Sequence, residues 1–429
     1  MRRIKEKFKK NIEKKNLKSK FSKDSIWLIL SQITLVLCGF SINLIIGKVQ
    51  GASSLGIFNL AISYYSFFSV IFSFGLNTAI LQKVSSNDEG DTVEKEIFSS
   101  NFFLLLFSSI CLSLLLILIS KNFPYLYGKD LSYSSNFIIC FFALPFFILN
   151  KSYMAYFTGK RNQKMFALIR IFRWLLLLIF ITVGVFLEYT ITVLLYSFLI
   201  TESIILLMNL IVKNNFTLKL SKKRMKDNIS FGFKSYTSEM VSDFNDKLDI
   251  MIIAHFLTKS DVGIYSFLVF FVKSLYIFPG ILQQNFNPII SKLWKIKDFI
   301  KINKSIKRIK KINLLIIIAQ YLFVLGAYIF MINFLKKEFN NTEYLFIIAS
   351  IGIFMYATVY WSGGILTMTN QLIPNIYRTS LVLISTVLLT FILCKFYGLL
   401  GAVIAVSLNG LIAFFLLKFF IFKTLKIKI

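Results

Sequence analysis

Residues 231–291 read FGFKSYTSEMVSDFNDKLDIMIIAHFLTKSDVGIYSFLVFFVKSLYIFPGILQQNFNPIIS. Two apolar helices flank the turn Thr258-Lys259-Ser260-Asp261, yet ionisable side chains sit inside them. The first carries Lys234, Glu239, Asp243, Asp246, Lys247 and Asp249, and the second carries Lys273. A charge at the centre of a membrane-spanning helix costs roughly 2.5–3.5 kcal/mol on insertion scales. Such groups persist where they face protein or a water-filled cavity. The hairpin is therefore expected to line a polar cavity in a membrane transporter.

The composition agrees. Of 429 residues, 56% are hydrophobic, and the mean hydropathy is +0.71, well above a soluble domain. The net charge of +29 is compatible with nucleic acid binding. Here, however, the Lys and Arg sit between apolar spans, where the positive-inside rule explains them more economically. The cysteines Cys38, Cys111, Cys140 and Cys394 fall inside spans without close pairing, and His255 is the single histidine. Neither a disulfide nor a metal site is expected from that pattern.

Outward from the hairpin the chain divides into apolar spans. Residues 1–24 form a basic segment with Ile4, Phe8 and Ile12 at helical spacing, read as a topology anchor or an amphipathic surface helix. The basic region is too long for a cleaved signal peptide, and no small-residue cleavage site follows it. Six spans are expected within 25–212, including Gly56–Leu81 and Ile97–Ser120 on either side of an acidic loop, Val84–Glu96. A basic linker occupies 213–231. Six more spans fill 232–422, and 423–429 is a basic tail. About twelve spans place both chain ends on one side. Nearly all loop Lys and Arg fall on that side, which predicts cytoplasmic termini. No loop is long enough for a soluble domain.

The halves carry an internal repeat. NLIIGKVQGASSLGIFNL (43–60) and IMIIAHFLTKSDVGIYSF (250–267) align, with Gly56 on Gly263 and Phe58 on Tyr265. Six spans per half make these parallel repeats about an axis along the membrane normal.

These same residues resemble a known family. Leu55-Gly56-Ile57-Phe58 leading to Phe74-Gly75-Leu76-Asn77, and the aspartate-bearing DKLDIMIIAHF reaching Val262-Gly263-Ile264-Tyr265, are similar to Wzx-type O-antigen and capsular polysaccharide repeat-unit flippases. These belong to the MOP superfamily with MATE exporters and lipid II flippases. The chain departs from the family in being more basic and in having few arginines within its spans. The resemblance implies an all-α polytopic membrane protein, two six-helix bundles arranged as a V, in the bacterial inner membrane. It implies a transporter, not an enzyme, moving an undecaprenyl-diphosphate-linked oligosaccharide to the outer leaflet by alternating access. Membrane lipid, a polysaccharide polymerase and a chain-length regulator are the partners it brings with it.

Such a headgroup needs a wet, cationic path. Lys247 and Lys273 each lie about ten residues from the hairpin turn, roughly 15 Å deep at one level. They are the leading substrate-binding candidates, followed by Lys234, Arg170, Arg173 and Lys151. Lys151 also suits snorkelling to the interface. Pro279 is expected to kink the second hairpin helix. Glu239, Asp243 and Asp246 fall on one helical stripe at i, i+4 and i+7, flanked by Lys247 and Asp249. The stripe is either a self-neutralising ion-pair network or a site for a coupling Na⁺ or H⁺. Arg173 and Glu202 come within about one turn in depth, and a structural salt bridge accounts for that too. Tyr64, Tyr65 and Tyr360 suit sugar stacking or core packing.

Alternatives from other classes are a MATE-like cation-coupled antiporter and a membrane polysaccharide polymerase. The cavity lysines argue against a cationic substrate, and the short outer loops argue against a polymerase. There is no GxxxxGK[ST], HExxH or GxSxG motif, so cofactors are expected to be none beyond a coupling ion.

Overall fold

The computed structural model describes residues 2–86, 90–122, 128, 130, 132–212, 240–241, 243–335 and 337–426. Every regular element among them is helical. Ten helical stretches are long and apolar enough to cross a bilayer. The longest, Leu372–Leu425, breaks at Gly398, with φ 58° and ψ −135°, a conformation open to glycine but not to side-chain-bearing residues. It therefore supplies two spans. The first hairpin helix, expected as the seventh span, is described over 240–241, 243–245 and Leu248–Phe256. The chain is an all-α polytopic membrane protein. Phe107, Phe186, Ile211, Ile300 and Phe323 are 73–83% exposed, and hydrocarbon is the solvent that suits such a surface.

The helices group into two compact units that cut across the sequence halves. The first comprises Met1–Ile42, Ile71–Ile117 and Ile139–Tyr236. The second comprises Asn43–Val70, Leu118–Ile138 and Thr237–Ile429. The second unit thus contains segments of spans 1 to 4 together with the whole described C-terminal half.

Inside the second unit the two copies of the repeat meet. Label Ala52–Phe72 α1 and Lys259–Lys273 α2. A Cβ added at Gly56 of α1 would overlap the Lys259 carbonyl oxygen, and one at Gly263 of α2 would overlap the Ala52 carbonyl oxygen. The contact is reciprocal: each glycine faces the residue that starts the opposite helix. That is the signature of a two-fold relation between equivalent surfaces. Asn59 donates to Ser266 at 3.0 Å across the same 207-residue offset, and also to Asn43 at 2.8 Å.

The starts of α1 and α2 are secured in matching ways. Thr258 and Asp261 form a capping box, with Asp261 N–H donating to Thr258 Oγ1 and Thr258 N–H to Asp261 Oδ2. Lys259 pairs with Asp130 at 2.8 Å. At α1 the Ala52 N–H donates to the Glu338 carboxylate at 2.7 Å, meeting one of the orphan donors of a helix N-terminus with a negative charge.

Two local expectations are corrected. The acidic stretch 84–96 is not one loop: Leu76–Ser85 and Asp91–Asn122 are helices, and Asp91 and Glu94 occupy the first turn of the latter, where the helix dipole favours carboxylates. The span expected at Gly56–Leu81 is interrupted at 73–75, where Phe74 and Gly75 have φ of 44° and 70°. The helix carrying Pro279 is interrupted as expected: a 3₁₀ turn at Ser274–Tyr276 surrounds Leu275, four residues before Pro279, where the proline ring removes the helical hydrogen bond.

The reciprocal glycine contact gives a signed prediction. Gly56→Ala or Gly263→Ala should destabilise the protein by about 1–3 kcal/mol through overpacking. Gly326→Ala, with open space around its Cβ, should be neutral or stabilising by up to about 1 kcal/mol. Thermal unfolding of the purified variants in one detergent measures both signs.

Candidate functional site

The ionic side chains of the spans fall into three kinds of setting. In the second unit, Asp249 is buried near the start of Leu248–Phe256. It accepts from Tyr265 Oη at 2.9 Å, from the Ile250 N–H at 2.8 Å and from Lys273 Nζ at 3.3 Å. Lys273 also donates to the Asp246 carbonyl at 3.3 Å. The ammonium of Lys273 is thus at the level of residues 246–249. Its charge is met by Asp249, which is the self-neutralising arrangement.

The carboxylate stripe is not carried by one continuous helix. Residues 246–247 form a turn, and Lys247 is the N-cap of Leu248–Phe256 with φ −124°. Helical spacing therefore does not run from Asp243 through Asp246. Asp243 and Asp246 are exposed, and Lys247 is half-buried. Lys234 and Glu239 lie outside the described residues.

In the first unit, Glu202 is 1% exposed. It forms an ion pair with Arg173 Nε, and its second oxygen accepts from Asn150 Nδ2 at 2.9 Å. Asn150 in turn accepts from Asn209 at 3.1 Å. Phe147 lies under two cations, with the Arg173 guanidinium 4.0 Å and the Lys151 ammonium 4.6 Å from the ring centroid. Lys151 therefore packs on the bundle at Phe147. Arg170, one turn from Arg173, donates to Gln32 Oε1 at 2.8 Å. Gln32 is a neutral amide, and among the described residues Arg170 has no carboxylate partner.

Sequence reasoning passed over Arg378. It is 7% exposed, and its guanidinium donates twice to Asn375 Oδ1, at 3.1 and 3.3 Å. That partner is again a neutral amide, and again no carboxylate joins it among the described residues. A signal existed: NQKMFALIR (162–170) and NQLIPNIYR (370–378) both place Arg eight residues after Asn-Gln. Each half thus holds a guanidinium that donates to an amide and, among the described residues, forms no ion pair. Lone ionic groups in spans mark functional sites by default.

At the turn 160–162, Lys160 pairs with the buried Glu94, which also accepts from Tyr156 Oη. The Glu94 contact holds the Lys160 ammonium above its ordinary pKa, so the pair keeps its positive partner throughout the neutral range.

The family profile described as "Polysaccharide biosynthesis protein" matches residues 21–294. The chain belongs to the polysaccharide biosynthesis protein family. A stretch of 179 residues is 24% identical to the capsular polysaccharide biosynthesis protein CapF of Staphylococcus aureus. That match spans 41% of this chain and 45% of CapF. The fold of this polysaccharide biosynthesis protein is that of MOP-superfamily transporters. Its TM-score is 0.76 to lipid II flippase MurJ in an inward closed conformation, at 16% identity over 92% of this chain and 86% of MurJ. Against an inward-facing MATE multidrug transporter the TM-score is 0.75, at 12% identity over 89% and 92% of the two chains.

For this family member the Arg173–Glu202 pair is the structural charge pair of the first unit. Glu202→Ala should destabilise it by about 3 kcal/mol or more, because Arg173 is left in the bundle without its carboxylate. Arg173→Leu combined with Glu202→Leu should recover most of that loss. A double-mutant cycle on detergent unfolding temperatures tests this, and additive losses would exclude the coupling.

Proposed function

We propose that this protein is a flippase that carries a polyprenyl-diphosphate-linked oligosaccharide, of the undecaprenyl type, from the cytoplasmic to the outer leaflet by alternating access. The glycan is then a repeat unit for capsule, O-antigen or exopolysaccharide. The observation that carries this reading, beside family membership, is that each unit holds an amide-bound guanidinium, Arg170 in the first and Arg378 in the second. A diphosphate is the anion that planar, fixed guanidiniums recognise best. Gln32 and Asn375 orient the guanidiniums without neutralising them. A cation exporter would gain nothing from such groups, which argues against the MATE-like activity.

Lys247 and Lys151 are secondary contacts in this proposal. Lys273 joins them only when freed from Asp249, and Arg173 stays with Glu202. Asp249 is the proposed coupling carboxylate for H⁺ or Na⁺, since its loss of charge would release Lys273 from its ion pair. The proposed setting is the bacterial cytoplasmic membrane with both termini inside. There a polymerase and a chain-length regulator receive the product.

Deletion of the gene should abolish the surface polysaccharide and leave complete lipid-linked repeat units in the membrane. Complementation by Arg170→Gln or Arg378→Gln should restore less than about a tenth of the glycan, the scale of one lost charge-assisted hydrogen bond. Arg→Lys at either position should restore an intermediate amount. Immunoblots of the membranes check that protein levels are equal. Unchanged glycan in the deletion strain would contradict the proposal.

A further inference from the structure

The second unit holds a cluster of three tyrosines, one of them Tyr360. Tyr276 closes the 3₁₀ turn at Ser274–Tyr276, and Tyr356 and Tyr360 lie one turn apart at the end of Glu343–Tyr360. Tyr276 stacks on Tyr360 with centroids 4.8 Å apart and planes 9° apart. Tyr356 stands edge-on to both, at 5.6 and 5.5 Å. Behind them, Tyr356 packs against a buried cluster that includes Trp361, Phe286 and Leu366.

Three features separate this cluster from ordinary core aromatics. All three rings are half-buried, whereas Tyr65, Tyr133, Tyr153, Tyr156, Tyr265 and Tyr328 are fully buried. Their hydroxyls make no hydrogen bond among the described residues. Their neighbours are polar: Tyr360 lies within electrostatic reach of Arg378 and Asp246, and Tyr276 within reach of Asp246. Gln283, with its amide turned to satisfy both partners, donates to the Tyr360 carbonyl and accepts from the Gly364 N–H at 2.9 Å.

Tyr276 lies three residues, about 4.5 Å, beyond the level of Lys273 in the stretch Lys259–Lys295. A hydroxyl facing hydrocarbon at that depth would be unsolvated, at a cost of a few kcal/mol. The most exposed lipid-suited aromatics of this chain are phenylalanines, such as Phe107, Phe186 and Phe323. A stacked, half-buried tyrosine trio, its hydroxyls unpaired among the described residues, therefore suits a ligand that presents apolar faces and hydroxyls together.

We propose that Tyr276, Tyr356 and Tyr360 form a stacking platform for a sugar ring of the lipid-linked glycan. This assignment rests on the flippase reading and names the part of the protein that meets the carbohydrate. A pyranose has an apolar face of C–H groups and an equatorial rim of hydroxyls. Aromatic faces take the first, and tyrosine hydroxyls take the second. Within the second unit, Arg378 is then left to the phosphate end of the ligand, while the tyrosines read only what is attached to it.

The test separates the two recognitions. Purified full-length protein in lipid nanodiscs is titrated with undecaprenyl diphosphate and, separately, with the lipid-linked repeat unit extracted from the deletion strain. Tyr276→Ala and Tyr360→Ala should each weaken the glycosylated lipid about five- to tenfold, the scale of one lost aromatic stack. Binding of bare undecaprenyl diphosphate should stay at the wild-type value, which also shows that the variants are folded. Equal affinity of variants and wild type for the glycosylated lipid would overturn the platform. A parallel loss for both lipids would overturn it too, because it would mark a packing role. Wild-type protein that binds neither lipid would instead refute the flippase reading on which the platform stands.

Discussion

Hydrocarbon does not solvate charge, and the placement of every ionic side chain in these spans follows from that constraint. The structure meets it in two ways. Arg173 and Lys273 are each paired with a carboxylate, Glu202 and Asp249, and those carboxylates are further satisfied by Asn150 and Tyr265. Among the described residues, Arg170 and Arg378 donate to amides and pair with no carboxylate. Paired charges of the first kind hold a bundle together without being able to bind much else. Amide-held guanidiniums keep their charge available. This division separates structural ions from the proposed ligand-binding ones, and it reorders the candidates that spacing alone suggested.

The spans, the helical class and the turn at 258–261 were legible because they rest on local chemistry: hydropathy, length and a capping box written as Thr-x-x-Asp. The match of Gly56 with Gly263 was legible as a repeat, and the structure brings the two glycines against each other's helix starts. The break at 246–247 was not legible. DFNDKLDIM contains neither Gly nor Pro to announce it, so tertiary packing overrides local helix preference there. Arg378 was missed for a different reason. An arginine six residues past the start of Leu372–Leu425 looks the same in sequence whether it snorkels to the interface or turns inward. Only its 7% exposure and its Asn375 partner tell them apart. Tyr64 and Tyr65, read beside Tyr360 as possible sugar contacts, are buried at 4% and 1%. The half-buried rings are Tyr276, Tyr356 and Tyr360, which only the fold brings together.

The division into units was also hidden from sequence. Chain order suggested a cut at the basic linker, whereas Asn43–Val70 and Leu118–Ile138 belong with the C-terminal half. The physical reason is the close approach of α1 and α2, which two glycines permit and which Asn59–Ser266, Lys259–Asp130 and Ala52–Glu338 reinforce. All of these contacts gather near the same end of the two helices.

The central claim is that this protein lets a lipid-linked glycan change leaflets. The most direct measurement reconstitutes it in liposomes carrying the extracted repeat-unit lipid and follows the glycan's accessibility to an external lectin. The account predicts that the wild type brings the initially protected inner-leaflet pool within reach of the lectin, and that the Arg170→Gln, Arg378→Gln double variant leaves it protected. Equal accessibility in wild-type and protein-free liposomes would contradict it.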